Sequence, residues 1–230
     1  MVDKLILHNS ISLDGSLTQF TPHMDLHYRI TGEYSPEAHL IGSNTIKVGI
    51  DLYGDGIPPE EARDFQKPQR KSMLPYWVIL DTRGTLQGIL HTCRRFELCR
   101  DIIVLVAEAT PTEYIQYLKT RQYIYHIVGE THVDLPRALD LLTTNYQVHT
   151  LLADTGMILG NLLLNQGLVT ELSVLIHPIL VGTQSYSMFA NIESPIQLRL
   201  LKHDVMDTGD IWLVYTVKTE WTDREEANDT

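Results

Sequence analysis

From Leu151 to Gly182 the chain reads LLADTGMILGNLLLNQGLVTELSVLIHPILVG, and no other stretch limits the possible folds as strongly. A run of β formers ends at Ala153, and Asp154-Thr155-Gly156 opens a helical pattern with almost no connecting loop. Gly167 stops that helix, because glycine favours the position just past a helix end. Leu172, Val174 and Ile176 then alternate with polar or smaller residues, as a strand would. A junction this tight points free backbone N–H groups out of the carboxyl edge of a sheet and makes an anion site. Gly156 lets a phosphate approach the backbone closely. The plainer alternative is that Asp154 or Thr155 serves only as a helix N-cap.

The same alternation runs through the first two thirds of the chain. Strands are expected at Val2–Ile11, His39–Gly42, Tyr76–Leu80, Ile102–Ala107, Tyr123–Val128 and Val148–Ala153. Helices are expected at His23–Ile30, from Thr110-Pro111-Thr112-Glu113 onward, at Asp134–Thr144 and at Thr155–Gln166. Leu135, Ala138, Leu139 and Leu142 give the third of these one apolar face. Gly42 is expected to lead into a turn. Asp51–Lys71, with two glycines and three prolines, reads as a surface loop with at most a short helix near Glu60–Phe65. The last third is mostly strand, with Gln197–His203 and Ile211–Lys218 joined by a turn at Thr208-Gly209-Asp210. The pattern implies an α/β fold, a largely parallel sheet covered by helices with antiparallel strands added at the end. One domain over residues 1–220 and a polar, frayed tail over 221–230 are expected.

Composition narrows the partners. The formal charge is −11, with 18 Lys and Arg spread without a basic run, so nucleic acid is not an expected partner. No window approaches ~18 continuous apolar residues, so no membrane span is expected. Cys93 and Cys99 are the two cysteines, too far apart for a C-x-x-C motif, and no secretory leader is evident. A reducing cytoplasm is the expected location.

Gly156, Leu159, Leu162-Leu163, Gly167-Leu168-Val169, Glu171-Leu172, Ile176, Pro178 and Leu180-Val181-Gly182 stand at fixed spacings. In this they resemble the C-terminal signature of the riboflavin-pathway pyrimidine reductases, both the stand-alone archaeal form and the reductase half of the bifunctional bacterial deaminase–reductase. Ser12-Leu13-Asp14-Gly15, Ile41-Gly42-Ser43-Asn44-Thr45 and Leu80-Asp81-Thr82-Arg83 resemble three further family segments, in the family's order. The resemblance covers about Lys4 to Lys218. It implies a three-layer α/β/α fold with a central, mostly parallel mixed sheet, like dihydrofolate reductase. It also implies an NADPH-dependent oxidoreductase of a small heterocyclic or ribosylamino-pyrimidine-type substrate, forming a homodimer through its terminal strands. The apolar run Leu172–Val181 suits that dimer contact.

By the same resemblance, Gly42 and Thr45 contact NADPH, and Thr82 lies near its adenosine end. Thr155, Gly156, Met157 and Ile158 hold the pyrophosphate. Arg83 is placed to pair with the 2′-phosphate, its plain alternative being a solvated turn arginine. Asp14 and Asp154 are the candidates for orienting substrate or relaying a proton; Asp14 could equally be an ordinary Asp-Gly turn. Two family glycines are replaced by Thr155 and Met157. The arginines that clamp the substrate phosphate in the family are missing from the matching segments, 23–27, 35–38 and 51–54. A pterin reductase in the same fold, or a homologue that binds nucleotide without catalysis, therefore remains open. His23 and His27, at i and i+4, lack a third ligand nearby in sequence. They read as a half-exposed surface pair, and no metal is expected. His177 reads as a packed or interface residue.

Overall fold

The computed structural model describes residues 2–54 and 56–218. The expected tail lies outside them. The strands are β1 (Lys4–Ser12), β2 (Ala38–Gly42), β3 (Tyr76–Leu80), β4 (Ile102–Val106), β5 (Ile124–Ile127), β6 (Thr150–Ala153), β7 (Glu171–His177), β8 (Gln197–Val205) and β9 (Ile211–Lys218). The helices are α1 (Met24–Glu33), α2 (Ser43–Tyr53), α3 (Leu90–Arg95), α4 (Thr112–Thr120), α5 (Leu135–Tyr146) and α6 (Met157–Asn165). The strands form one sheet in the order β5-β4-β3-β2-β6-β1-β7-β9-β8. β5 through β7 run parallel, while β9 is antiparallel to both of its neighbours.

Strand pleat divides the apolar residues into two layers. On β4, Ile103 and Leu105 join Leu5, Leu7 and Leu40 beneath α5 and α6. Ile102, Val104 and Val106 turn to the other face, with Leu90 of α3 and Tyr114, Tyr117 and Leu118 of α4. On that second face Leu26 and Ile30 of α1 pack on Leu175, Trp212 and Val214. A strand buried on both faces has no polar position to spare, which explains the unbroken IIVLV of β4. The expected three-layer α/β/α architecture is the observed one.

Two helices depart from the sequence reading. Where a turn and then a loop are expected after Gly42, α2 starts directly from β2 and runs to Tyr53. Its burial rests on Ile46 and Ile50, one turn apart, with Gly49 between, too thin an apolar stripe to register as periodic. α3 is six residues long and anchored by Leu90 and Cys93. The run expected at a dimer contact, Leu172–Val181, is core in its first part. β7 lies inside the sheet between β1 and β9, so Leu172, Val174 and Leu175 are core residues. Ile179 and Leu180 of that run are exposed, and a further group of exposed apolar residues lies on the edge strand β8, at Leu198, Leu200, Leu201 and Val205.

Candidate functional site

The order β3-β2-β6-β1 brings the carboxyl ends of four parallel strands side by side. β2 and β6 lie side by side, and the chain leaves them towards opposite edges, from β2 to β3 and from β6 across β1 to β7. That crevice is where open α/β sheets bind ligands. α2 and α6 both begin here, from adjacent strands, with glycine N-caps (Gly42 and Gly156) and no side-chain cap on either helix. Uncapped N-termini leave backbone N–H groups without helical partners and carry the positive end of the helix dipole.

The two helix starts are stitched together. Gly42 N donates to Thr155 Oγ1 at 3.3 Å, and Gly156 N donates to Thr45 Oγ1 at 3.2 Å. The two hydroxyls lie 3.5 Å apart. Asn9 Nδ2 of β1 donates to Thr155 O at 2.9 Å and pins the turn from the other side. A Cβ on Gly42 would come within 3.2 Å of Thr155 Oγ1, so the absence of a side chain permits this approach. At Gly156 a Cβ would meet only Thr45 Oγ1, at 3.8 Å, and the backbone is ordinary extended chain. Nothing within the protein demands glycine there; its bareness leaves room in front of α6. Met157 is half-buried and Ile158 is exposed at that helix start.

Next along the edge, the turn after β3 is held by buried Asp81. Its carboxylate accepts from Thr85 N, Thr85 Oγ1 and Leu86 N at 3.0, 3.0 and 2.8 Å. Thr82 O accepts from Thr110 Oγ1 at 2.9 Å. Gly84 sits at φ 67°, and a Cβ would strike Tyr114 at 2.8 Å, so this turn needs its glycine. Arg83 projects from it, exposed and without an ion pair or hydrogen bond to the described residues.

On the α1 face, β1 and β7 present a polar row. His8 pairs in register with Ser173, Ser10 with Leu175 and Ser12 with His177. α1 lays buried His27 over this row. His27 Nε2 lies 3.2 Å from Asp154 Oδ2 and Nδ1 lies 3.0 Å from Ser10 Oγ. The His8 ring is 4.5 Å from that of His27. His8 Nδ1 contacts Ser173 Oγ at 2.8 Å, and the same oxygen accepts from Trp212 Nε1 at 2.9 Å. Burial, then the neighbouring His27, pushes the His8 pKa down to about 3, so this imidazole is neutral. Burial likewise lowers that of His39. Burial opposes ionisation of Asp154, but attraction and hydrogen bonding from His27, helped by His8 and His39, outweigh it and hold its pKa below the usual carboxylate range. An ionised Asp154, partly open to solvent, thus fronts a buried imidazole.

Asp14 is placed differently. Its carboxylate accepts from Gly182 N at 2.7 Å, from Val181 N at 3.1 Å and from the Ser12 hydroxyl. The Ser12 bond, followed by that from Gly182, lowers its pKa. Asp14 therefore braces the loop after β1 against the loop after β7, and no hydrogen bond or ion pair links it to Asp154. The structure brings together Gly42, Thr45, Thr155 and Gly156 in direct contact, and sets Met157, Ile158, Thr82 and Arg83 along the same edge.

His8 and Ser10 were not singled out by sequence, and His27 was weighed only as a partner of His23. His27 is not half of an exposed pair with His23. It is 4% exposed, and only His23 faces solvent. The available signal was its place beside Leu26 and Ile30 on the inner face of a short helix. His177 is packed, 3% exposed, against Phe20.

Residues 3–211 match the model of the RibD C-terminal domain. The chain belongs to this family. Among solved structures, RibD of Acinetobacter baumannii superposes with a TM-score of 0.68 at 20% identity, covering 94% of this chain and 58% of that one. This chain therefore spans little more than half the length of that relative. A pyrimidine reductase-like protein of Corynebacterium diphtheriae gives 0.68 at 17% identity, covering 95% and 93%. The riboflavin biosynthesis reductase Rib7 of Saccharomyces cerevisiae gives 0.63 at 16%, covering 94% and 90%. No curated protein sequence matches. At these identities the superpositions establish the RibD C-terminal fold. No helix among the described residues is long and apolar enough to cross a membrane.

Proposed function

We propose that this chain is an NADPH-dependent reductase of a small heterocyclic or ribosylamino-pyrimidine-type substrate, related to the reductases of riboflavin biosynthesis. The observation that carries this reading is the pair of uncapped helix starts on β2 and β6, cross-linked through Thr45 and Thr155 and flanked by the unpaired Arg83. The residues fit the dinucleotide. Amides at the start of α6, from Met157 and Ile158, serve its diphosphate, and bare Gly156 leaves space for it. Gly42 and Thr45 line the adjoining loop, and Thr82 lies towards the adenosine. Arg83 matches a 2′-phosphate, the group that separates NADPH from NADH.

The cofactor supplies a hydride to an electrophilic carbon of the substrate, such as a carbonyl, imine or opened ribose. The chain's own part is positional and protic. Asp154 orients a substrate polar group at the mouth of β6, and His27, held between Asp154 and Ser10, fixes that carboxylate. Asp14 acts at one remove, by bracing the loop at 181–182. The wall around Asp154 is made of imidazoles and hydroxyls rather than apolar groups, which speaks against a pterin. Arg29 lies on the solvent face of α1, so no arginine replaces the missing phosphate clamp there. The proposal extends to a cytoplasmic homodimer joined through β8.

One observation favours a second reading, a nucleotide-binding homologue without catalysis: the amides of Gly42 and Gly156 are already occupied by threonine hydroxyls. Fluorescence titration with NADPH and NADH, followed by oxidation assays with the riboflavin-pathway ribosylamino-pyrimidine, separates the readings. The reductase reading expects saturable binding favouring NADPH, lost in Arg83→Ala, and measurable oxidation. Binding without oxidation of any pyrimidine tested supports the second reading, and no binding at millimolar NADPH overturns both.

A further inference from the structure

His23, His177 and Asp210 come from three separate elements and converge one strand away from the proposed reductase site. His23 precedes α1, His177 ends β7, and Asp210 sits at the turn into β9. Asp210 is fully buried, and its two oxygens face different imidazoles. His23 Nδ1 is 2.6 Å from Oδ2, and His177 Nδ1 is 2.6 Å from Oδ1. The Thr208 hydroxyl also donates to Oδ2. The three ligand-type atoms all lie within 4.8 Å of one another. Both imidazoles present the same nitrogen inward, and the rings stand edge to face with centroids 5.3 Å apart. Side chains of His23 and His177 are 50% and 4% exposed, so the cluster is closed on the sheet side and open on the His23 side.

We infer that His23, His177 and Asp210 form a binding site for a divalent transition-metal ion of the zinc class. Two imidazole nitrogens and a carboxylate oxygen are the donor set such ions prefer, and three protein ligands leave a fourth position open to water or another ligand. With bonds of about 2.0–2.1 Å, the edges of a tetrahedral site are about 3.3 Å. Whichever Asp210 oxygen is the ligand, its 2.6 Å separation from the facing imidazole nitrogen needs to open by less than ~1 Å to reach that figure. Without metal, His23 and the Thr208 hydroxyl hydrogen-bond with Asp210 Oδ2, while buried Asp210 Oδ1 faces His177 with no hydrogen-bond partner among the described residues. This assignment uses none of the residues placed at the dinucleotide and does not depend on that reading. It also revises the expectation of no metal, which weighed His23 only with His27; the fold gives His23 two other neighbours from far along the chain.

The test is calorimetric titration of chelator-treated protein with zinc, and absorption spectroscopy with cobalt as a coloured substitute. Wild type is expected to bind one zinc ion saturably and to show the visible bands of cobalt in a low-symmetry site. His23→Ala changes a half-exposed residue, so the fold should survive. It is expected to weaken zinc binding by more than the roughly 10- to 100-fold that loss of even an outer partner of a metal ligand costs. His23→Cys is expected to keep the affinity and add a thiolate-to-cobalt absorption. His149 pairs with Asp3 on the surface and serves as the control for incidental binding. Failure of wild type to saturate, equal affinity in His23→Ala, or loss only in His149→Ala overturns the proposal.

Discussion

Placing a carboxylate at the start of α6 should push stability and cofactor affinity in opposite directions. Ile158 is 68% exposed, lies in the first turn, and follows a glycine N-cap with no side-chain cap. A negative charge there complements the helix dipole, worth about 0.3–1 kcal/mol. For a chain of this length that raises Tm by about 1–4 °C. The same charge faces the proposed diphosphate. At about 5 Å and an effective dielectric of about 40, repulsion from one phosphate charge costs about 1.7 kcal/mol. Screening at physiological salt roughly halves this. NADPH should therefore bind about 5- to 15-fold more weakly, with the larger effect at low salt. Ile158→Asn is the reference, because it loses the same apolar contacts without gaining charge. Thermal melts and NADPH fluorescence titrations at two salt concentrations read both quantities. If Ile158→Asp melts above Ile158→Asn yet binds NADPH equally well at low salt, the diphosphate does not sit at this helix.

Four other outcomes are expected. Asp154→Asn should lower kcat with little change in NADPH affinity, since Asp154 is assigned to substrate; a loss confined to NADPH binding contradicts that role. Because its pKa is depressed, the wild-type Asp154 should stay ionised through neutral pH and lose its contribution only as pH falls through the acid range below the ordinary carboxylate value. His8 is buried and neutral, with a pKa near 3, while unfolded histidine protonates near 6.5. The unfolded state thus binds the extra proton between these values, and stability falls as pH drops from about 6.5. Over two pH units the loss is up to about 2.7 kcal/mol, and urea melts of His8→Asn should show a flatter acid slope. On β8, Leu200→Lys should convert a dimer to monomer in sedimentation; an unchanged dimer rules out this edge as the interface.

All nine strands were legible because each is an apolar or alternating run bounded by turn residues. The helices were legible only where they bury a broad stripe. α5 does so through Leu135, Ala138, Leu139 and Leu142, whereas α2 relies on Ile46 and Ile50. The backbone part of the site was readable because a tight strand–helix junction is local: Thr155 and Gly156 stand next to Ala153 in the chain. That Thr45 and Thr155 would trade hydrogen bonds with each other's helix starts needed the insertion of β6 beside β2, which no local pattern encodes. The histidine clusters were hidden for the same reason. His27 meets Asp154 across 127 residues, and His23 meets Asp210 across 187. Asp14 was recognisable as a turn residue, but its hold on Val181 and Gly182 became evident only once β1 and β7 were paired.

Backbone amide spectroscopy on isotope-labelled protein bears most directly on the binding of a dinucleotide at the paired helix starts. Adding NADPH should shift the amide signals of Gly156, Met157 and Ile158 strongly and in a saturable way, with smaller shifts at Gly42, Thr45 and Arg83. Signals at these positions that stay still while NADPH is present at millimolar concentration, or shifts confined to another part of the sheet, would contradict it.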